Sequence, residues 1–134
     1  MTVTRHIKPI LEVVHQLIVE KVDWKFRRKH LSDGTTPLDI KSGEVRRGWK
    51  RTVQRVSVED ETTGCTEIRI GYINDHGVIS WYSEQWTPQA GVLYWVKDTV
   101  VLQVGYSLLV RFIGSRDGDT LGVYAYGYEE EVEQ

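Results

Sequence analysis

Between residues 49 and 128 apolar side chains recur at every second position, in short runs separated by turn residues, with no stretch of helical period among them. Such alternation gives each run one face for a core and one for water, so the runs must pair into sheets that close over one another. The clearest run is 66–73, where Ile68, Ile70 and Tyr72 alternate with Glu67, Arg69 and Gly71. In the first run Trp49, Arg51 and Val53 share one parity and Val56 and Val58 the other, which predicts a bulge or bend. Asn74-Asp75-His76-Gly77 predicts a tight hairpin returning through 78–82, and 83–91, with Trp86, Pro88 and Gly91, reads as a longer loop.

Further strands are expected at 92–96, 100–104 and 107–113, then a turn at 114–120. The last strand, 121–128, places Leu121, Val123 and Ala125 on one face and Tyr124, Tyr126 and Tyr128 on the other. The acidic residues 129–133 should fray beyond it. About seven short strands spaced near ten residues apart indicate a mainly β fold: an antiparallel β-sandwich, jelly-roll-like, or a barrel.

The N-terminal part reads differently. Ile7, Ile10, Leu11, Val14, Leu17, Ile18 and Val22 recur at intervals of three and four, the stripe of an amphipathic helix over 5–22, with Thr4 as a cap and Pro9 in its first turn. Next comes Trp24-Lys25-Phe26-Arg27-Arg28-Lys29-His30, cations between aromatics, suited to phosphate or an acidic protein face, or to the solvated end of the helix. Loop-forming residues fill 31–43. The expected division is a basic helix-and-linker arm over 1–43 and a β-sandwich domain with a short acidic tail over 44–134. Ile7, Ile10, Leu11, Val14, Leu17, Ile18, Trp24, Phe26, Arg27, Arg28 and Lys29 are the candidate partner-binding residues.

Charge divides the same way. Residues 1–57 hold 13 Lys/Arg against 6 Asp/Glu, and residues 58–134 hold 4 against 13, although the whole chain is only −2. A basic arm of this kind suits an acidic neighbour, such as another copy of the chain, nucleic acid, or its own acidic body.

Motifs for chemistry are sparse. Cys65 is the only cysteine, so no internal disulfide and no Cys/His zinc cluster is available, and neither cofactor nor metal is expected. Asp75 and His76 sit where turn geometry alone calls for such residues, and Asp117-Gly118-Asp119 lacks the further ligands of a calcium loop. No phosphate-binding, dinucleotide or zinc-protease motif occurs, so a non-enzymatic role is expected. The N-terminal stretch shows no signal-peptide pattern and no run reaches membrane-spanning length, which points to a reducing cytoplasm and away from membranes.

Aromatic residues are the remaining signal, since Trp and Tyr outnumber Phe by 12 to 2. Trp81, Tyr82, Trp86, Tyr94 and Trp95 gather around one loop as a possible binding surface. With Glu84, Gln85 and Gln89 they could stack against and hydrogen-bond a sugar, or else serve as core and loop cover. Nucleic acid is disfavoured there because this half of the chain is acidic.

Several pieces also resemble, in cadence, small β-sandwich accessory structural proteins of tailed bacteriophages. They are Val56-Ser57-Val58 with Thr62-Thr63-Gly64; Ile68-Arg69-Ile70-Gly71; Pro88-Gln89-Ala90-Gly91 leading to Tyr94-Trp95; and Gly118-Asp119-Thr120-Leu121 leading to Tyr126-Gly127-Tyr128. The resemblance spans a little over half the chain. It implies a decoration or cement protein, a head-to-tail connector or a fibre component, homo-oligomeric and bound also to other structural proteins such as a capsid protein, in a virion assembled in the host cytoplasm.

Overall fold

The computed structural model describes residues 20–132. Nine strands occur among them: β1 (Lys21–Leu31), β2 (Leu38–Lys41), β3 (Trp49–Asp60), β4 (Glu67–Ile73), β5 (Ile79–Trp86), β6 (Tyr94–Val96), β7 (Val100–Leu102), β8 (Ser107–Ile113) and β9 (Thr120–Glu131). All pairings are antiparallel. One sheet runs β1-β9-β3-β6, with β7 also on β3, and the other runs β2-β8-β4-β5. Successive strands cross from sheet to sheet except at the β4–β5 hairpin and the β6–β7 break, which is the winding of a jelly roll.

Alternation explains the core. Val53, Val56 and Val58 of β3 and Leu121, Val123 and Ala125 of β9 face Ile68 and Ile70 of β4 and Leu108, Val110 and Phe112 of β8, all buried. The parity change in β3 is a register shift between Val53 and Arg55, so residues on both sides of it still face inward. Gly127 lies opposite Val53 at this bulge, and a Cβ there would collide with the Thr52 carbonyl oxygen. The expected hairpin also forms: the Asn74 N–H donates to the Val78 carbonyl at 3.0 Å, and its side chain accepts from the His76 and Val78 amides at 2.9 Å.

Four expectations change, and a fifth lies largely outside the described residues. The helix over 5–22, with Ile7, Ile10, Leu11, Val14, Leu17 and Ile18, lies outside the described residues except at its end, where Lys21 and Val22 are strand. Residues 24–30 are not an arm or a helix end but the body of β1, paired residue for residue with β9. The alternation of Val22, Trp24 and Phe26 with Lys21, Asp23 and Lys25 drives this, because Trp24 and Phe26 pack against the core. The region 31–43 contains β2, whose Leu38 and Ile40 are buried, so the sandwich begins at Lys21 rather than at 44.

Strand β5 continues through the expected loop as far as Trp86, because a register shift between Ile70 and Gly71 resets its pairing with β4. The acidic tail is likewise strand: β9 runs to Glu131, and the Val132 N–H donates to the Gly48 carbonyl at 2.9 Å.

Two of the buried polar clusters within the sandwich, besides others such as Ser32–Ser115 and Glu67, bear on its stability. Near Trp24, Arg51 donates to Glu129 Oε2 through Nε (3.2 Å) and Nη2 (3.1 Å), and to the Gly43 carbonyl through Nη1 (2.8 Å). At the other, Asp60 and Asp119 are buried together, and the Thr63 hydroxyl donates to Asp119 Oδ2 at 2.7 Å. Burial, and then the contact with Asp119, pushes the Asp60 carboxyl up. Burial opposes ionisation of Asp119 too, but the Arg116 amide and the Thr63 hydroxyl outweigh it and hold Asp119 low. Asp60 Oδ1 accepts from the Thr62 and Thr63 amides at 3.1 and 3.3 Å, and its buried Oδ2 makes no hydrogen bond among the described residues.

Candidate binding face

The outward positions of the five-stranded sheet follow from registers already given. In the middle, β9 presents Tyr124, Tyr126 and Tyr128, because Val123, Ala125 and Gly127 face in. β1 sets Lys25 beside Tyr126 and Arg27 beside Tyr124, while β3 sets Arg55 and Ser57 on their other side. Trp95 of β6 lies next to Ser57. The basic N-terminal half is thereby laid along a tyrosine strand from the acidic half.

Cations lie over rings throughout this face. Lys21 Nζ is 3.9 Å from the Tyr128 ring centre, and the Arg55 guanidinium is 4.6 Å from Trp95 and 5.4 Å from Tyr126. Arg27 stands 5.6 Å from Tyr124 and Lys97 4.4 Å from Trp95. Such contacts are worth roughly 0.5–1 kcal/mol each where exposed, enough to orient side chains.

A concavity of about 220 Å³ opens between Lys25, Arg27, Arg55, Ser57, Tyr124 and Tyr126, and another of about 440 Å³ continues it past Lys29 and Glu59 to Leu93. Trp95 and Tyr126 remain 51% and 42% exposed despite these cations, large areas for aromatic rings.

The electrostatics of the face are unbalanced. Lys29 pairs with Glu61 at 2.9 Å, and the hydrogen bond from Lys29 holds that carboxyl below its usual range. Glu59 accepts from the Tyr124 hydroxyl at 3.0 Å; burial, and then Glu61 beside it, pushes its carboxyl up. Ion pairs among the described residues use Lys29, Arg51, Arg69, His76 and Arg111, but not Lys25, Arg27 or Arg55. The Nε of Arg55 is buried with no acceptor.

The structure disperses the aromatic group expected around residues 81–95. Trp81 lies over Gly71 on the outer face of the four-stranded sheet, with Arg111 5.1 Å from its ring, and Trp86 is exposed at the end of that face. Tyr82 faces inward, with its hydroxyl buried and burial pushing the phenol up. Tyr94 packs against the core, and its hydroxyl accepts the Gln89 amide at 2.8 Å. Only Trp95 reaches the cationic face. Of the basic residues, Arg27 and Lys29 point outward, whereas Arg28 has the opposite parity and its guanidinium lies 5.3 Å from the Phe26 ring. Arg55 and the three tyrosines were missed as site residues, although their alternation was legible.

Candidate nucleophiles are quiet. Burial, and then the Asp60 carboxyl, pushes the Cys65 thiol up to about 12, so it stays protonated. Asp75 and His76 meet at 3.7 Å on an exposed turn. Among the described residues no group of three or more His, Cys, Asp or Glu side chains is placed to hold a metal ion.

The class these features define is a jelly-roll β-sandwich with a cationic, tyrosine-lined outer sheet face. No family model matches the chain, and no curated protein matches it. Among solved structures it is loosely similar to the Drosophila NLP core, described in terms of pentamer formation and histone binding, at 14% identity over 80% of this chain and 96% of that one (TM-score 0.45). It is also similar to the N-terminal cellulose-binding domain of Cellulomonas fimi β-1,4-glucanase C, at 11% identity over 85% and 90% (TM-score 0.41). A chain of the infectious bursal disease virus Gx strain is similar at 11% identity over 84% of this chain and 32% of that one (TM-score 0.40). Likenesses this loose say nothing of what this chain binds.

Proposed function

We propose that this chain is a non-enzymatic assembly domain that engages an acidic protein surface through the outer face of its five-stranded sheet. The carrying observation is the set Lys25, Arg27 and Arg55, which have no carboxylate partner among the described residues yet are held beside Tyr124, Tyr126 and Trp95. Trp, Tyr and Arg are the side chains in which interface energy concentrates, and an arriving carboxylate would make charge-assisted bonds to cations that have no anionic partner among the described residues. The setting we infer is an accessory virion component, with the acidic surface supplied by another copy of the chain or by a capsid protein; the cadence shared with phage accessory proteins supports this setting.

A labelled short poly-glutamate peptide should bind the wild-type chain in low salt and lose affinity in Arg27→Glu/Arg55→Glu. Sedimentation velocity then tests self-assembly: species heavier than 15.5 kDa should form and dissolve on charge reversal. Failure to bind poly-glutamate would overturn the acidic-surface reading.

A second reading, glycan binding, rests on the exposed Trp95 and Tyr126 rings flanking the concavity. Quenching of Trp fluorescence by a neutral oligosaccharide, without any response to poly-glutamate, would put that reading in its place.

A further inference from the structure

Strand β1 is the outer strand of the five-stranded sheet. Its eleven residues pair with β9 on one side, and along the other side their backbone groups make no hydrogen bond to any described residue. A long, regular, unpaired edge is a template for another strand. The side chains of β1 specify what kind of strand it takes.

Lys21, Lys25, Arg27 and Lys29 project outward along one row, with two-residue steps of about 6.6 Å. Alternate side chains of a strand laid alongside β1 would repeat at the same interval and stand next to them. Trp24 and Phe26 project to the other side, half-buried at the rim of the core, where the added strand's intervening side chains would lie. Asp23 interrupts the row and disfavours an acidic residue beside it.

The same row also bears on pairing with a second β1. Antiparallel self-pairing centred on Asp23, Lys25 or Arg27 leaves like charges in excess: Lys21 opposite Lys25 with Asp23 opposite itself, Lys21 opposite Lys29 with Lys25 opposite itself, or Lys25 opposite Lys29 with Arg27 opposite itself. Centred on Trp24 or Phe26, Asp23 falls opposite Lys25 or Lys29 and offsets the like pair Lys21–Arg27 or Lys25–Arg27. Self-pairing is thus disfavoured in three of these five registers, whereas an acidic strand is disfavoured only beside Asp23.

We propose that β1 is an acceptor edge for an extended acidic strand from a partner protein, with carboxylates at alternate positions beside Lys25, Arg27 and Lys29 and apolar residues between them beside Trp24 and Phe26. This rests on the acidic-surface reading and narrows it from a face to an edge.

The probe is a labelled peptide of alternating Glu and Val, compared with a peptide of the same composition whose Glu residues are clustered, with alternating Lys and Val, and with oligothymidylate. Fluorescence polarisation gives affinity, and hydrogen exchange gives amide protection along β1. The alternating acidic peptide should bind best, slow exchange of β1 amides, and lose at least about tenfold in affinity in Lys25→Glu/Arg27→Glu. Both substituted side chains are exposed, and circular dichroism checks that the variant keeps its β fold.

Binding of acidic peptides without protection of β1 amides would overturn strand addition but leave the acidic-surface reading standing. Equal binding of the clustered peptide would do the same. Binding of oligothymidylate alone would overturn both.

Discussion

The buried pair Arg51–Glu129 allows a quantitative test of what the interior requires. Arg51 is only 4% exposed, its guanidinium lies 4.4 Å from the Trp24 ring, and two of its donors converge on one oxygen of Glu129. Burial lowers its pKa more than Glu129 raises it, so desolvation outweighs the attraction within the pair. Removing one partner should then be far worse than removing both.

Glu129→Leu strands a cation whose remaining acceptors are the Gly43 carbonyl and, at 3.3 Å, Ser42 Oγ. It should cost about 3–5 kcal/mol, and Arg51→Met, which strands the carboxylate instead, should cost somewhat less because Glu129 sits nearer the rim. Arg51→Met/Glu129→Leu should return close to wild type, giving a coupling of at least about 2 kcal/mol. Urea unfolding followed by far-ultraviolet circular dichroism measures all four proteins, with unchanged slopes required for comparison. Single variants within about 1 kcal/mol of wild type, or a double variant as unstable as the sum of its parts, would refute the reasoning.

Other perturbations have equally definite outcomes. Because the folded pKa of Asp60 is raised above 3.8, its contribution to stability is present at low pH and lost as pH climbs through the raised value. Asp60→Asn should remove that loss and melt at or above wild type at alkaline pH; thermal melts giving parallel pH profiles for the two proteins would count against the raised Asp60 pKa. With its pKa at about 12, native Cys65 should react with a disulfide reagent at pH 8 roughly a thousandfold more slowly than the unfolded chain, and comparable labelling rates would contradict its burial. Phe112→Ala, at a fully buried position, should cost about 3–5 kcal/mol and lower Tm by about 10 °C or more, as calorimetry would show. Gly127→Ala should cost about 1–3 kcal/mol by forcing β3 and β9 apart at the bulge; wild-type amide exchange in Thr52 and Val53 would show otherwise.

Much of the sandwich was legible because its strands alternate cleanly, and even the β3 bulge showed as a change of parity. β1 was not, for a physical reason: four cations and a histidine among seven residues look solvated, and only long-range pairing with β9, some hundred residues away, turns Trp24 and Phe26 inward. β2 was missed because four residues are too few to show a period. The aromatic group failed differently. Nearness in sequence placed five rings together, but adjacent residues of a strand face opposite ways, and β5 and β6 belong to different sheets. The residues of the candidate face that were missed, Arg55 and the β9 tyrosines, are brought together only by register, which no local pattern encodes.

The position of β9 between β1 and β3 also has a consequence for how the protein is made. Synthesis delivers β1 and β3 early, yet each finds its long neighbour only when residues 120–131 emerge. The four-stranded sheet is complete once β8 is out, so a ribosome-bound chain has one finished layer and another whose middle is missing. Until that last strand arrives, the apolar sides of β1 and β3 stay uncovered, and their edges are open to pairing with other chains for that stretch of synthesis.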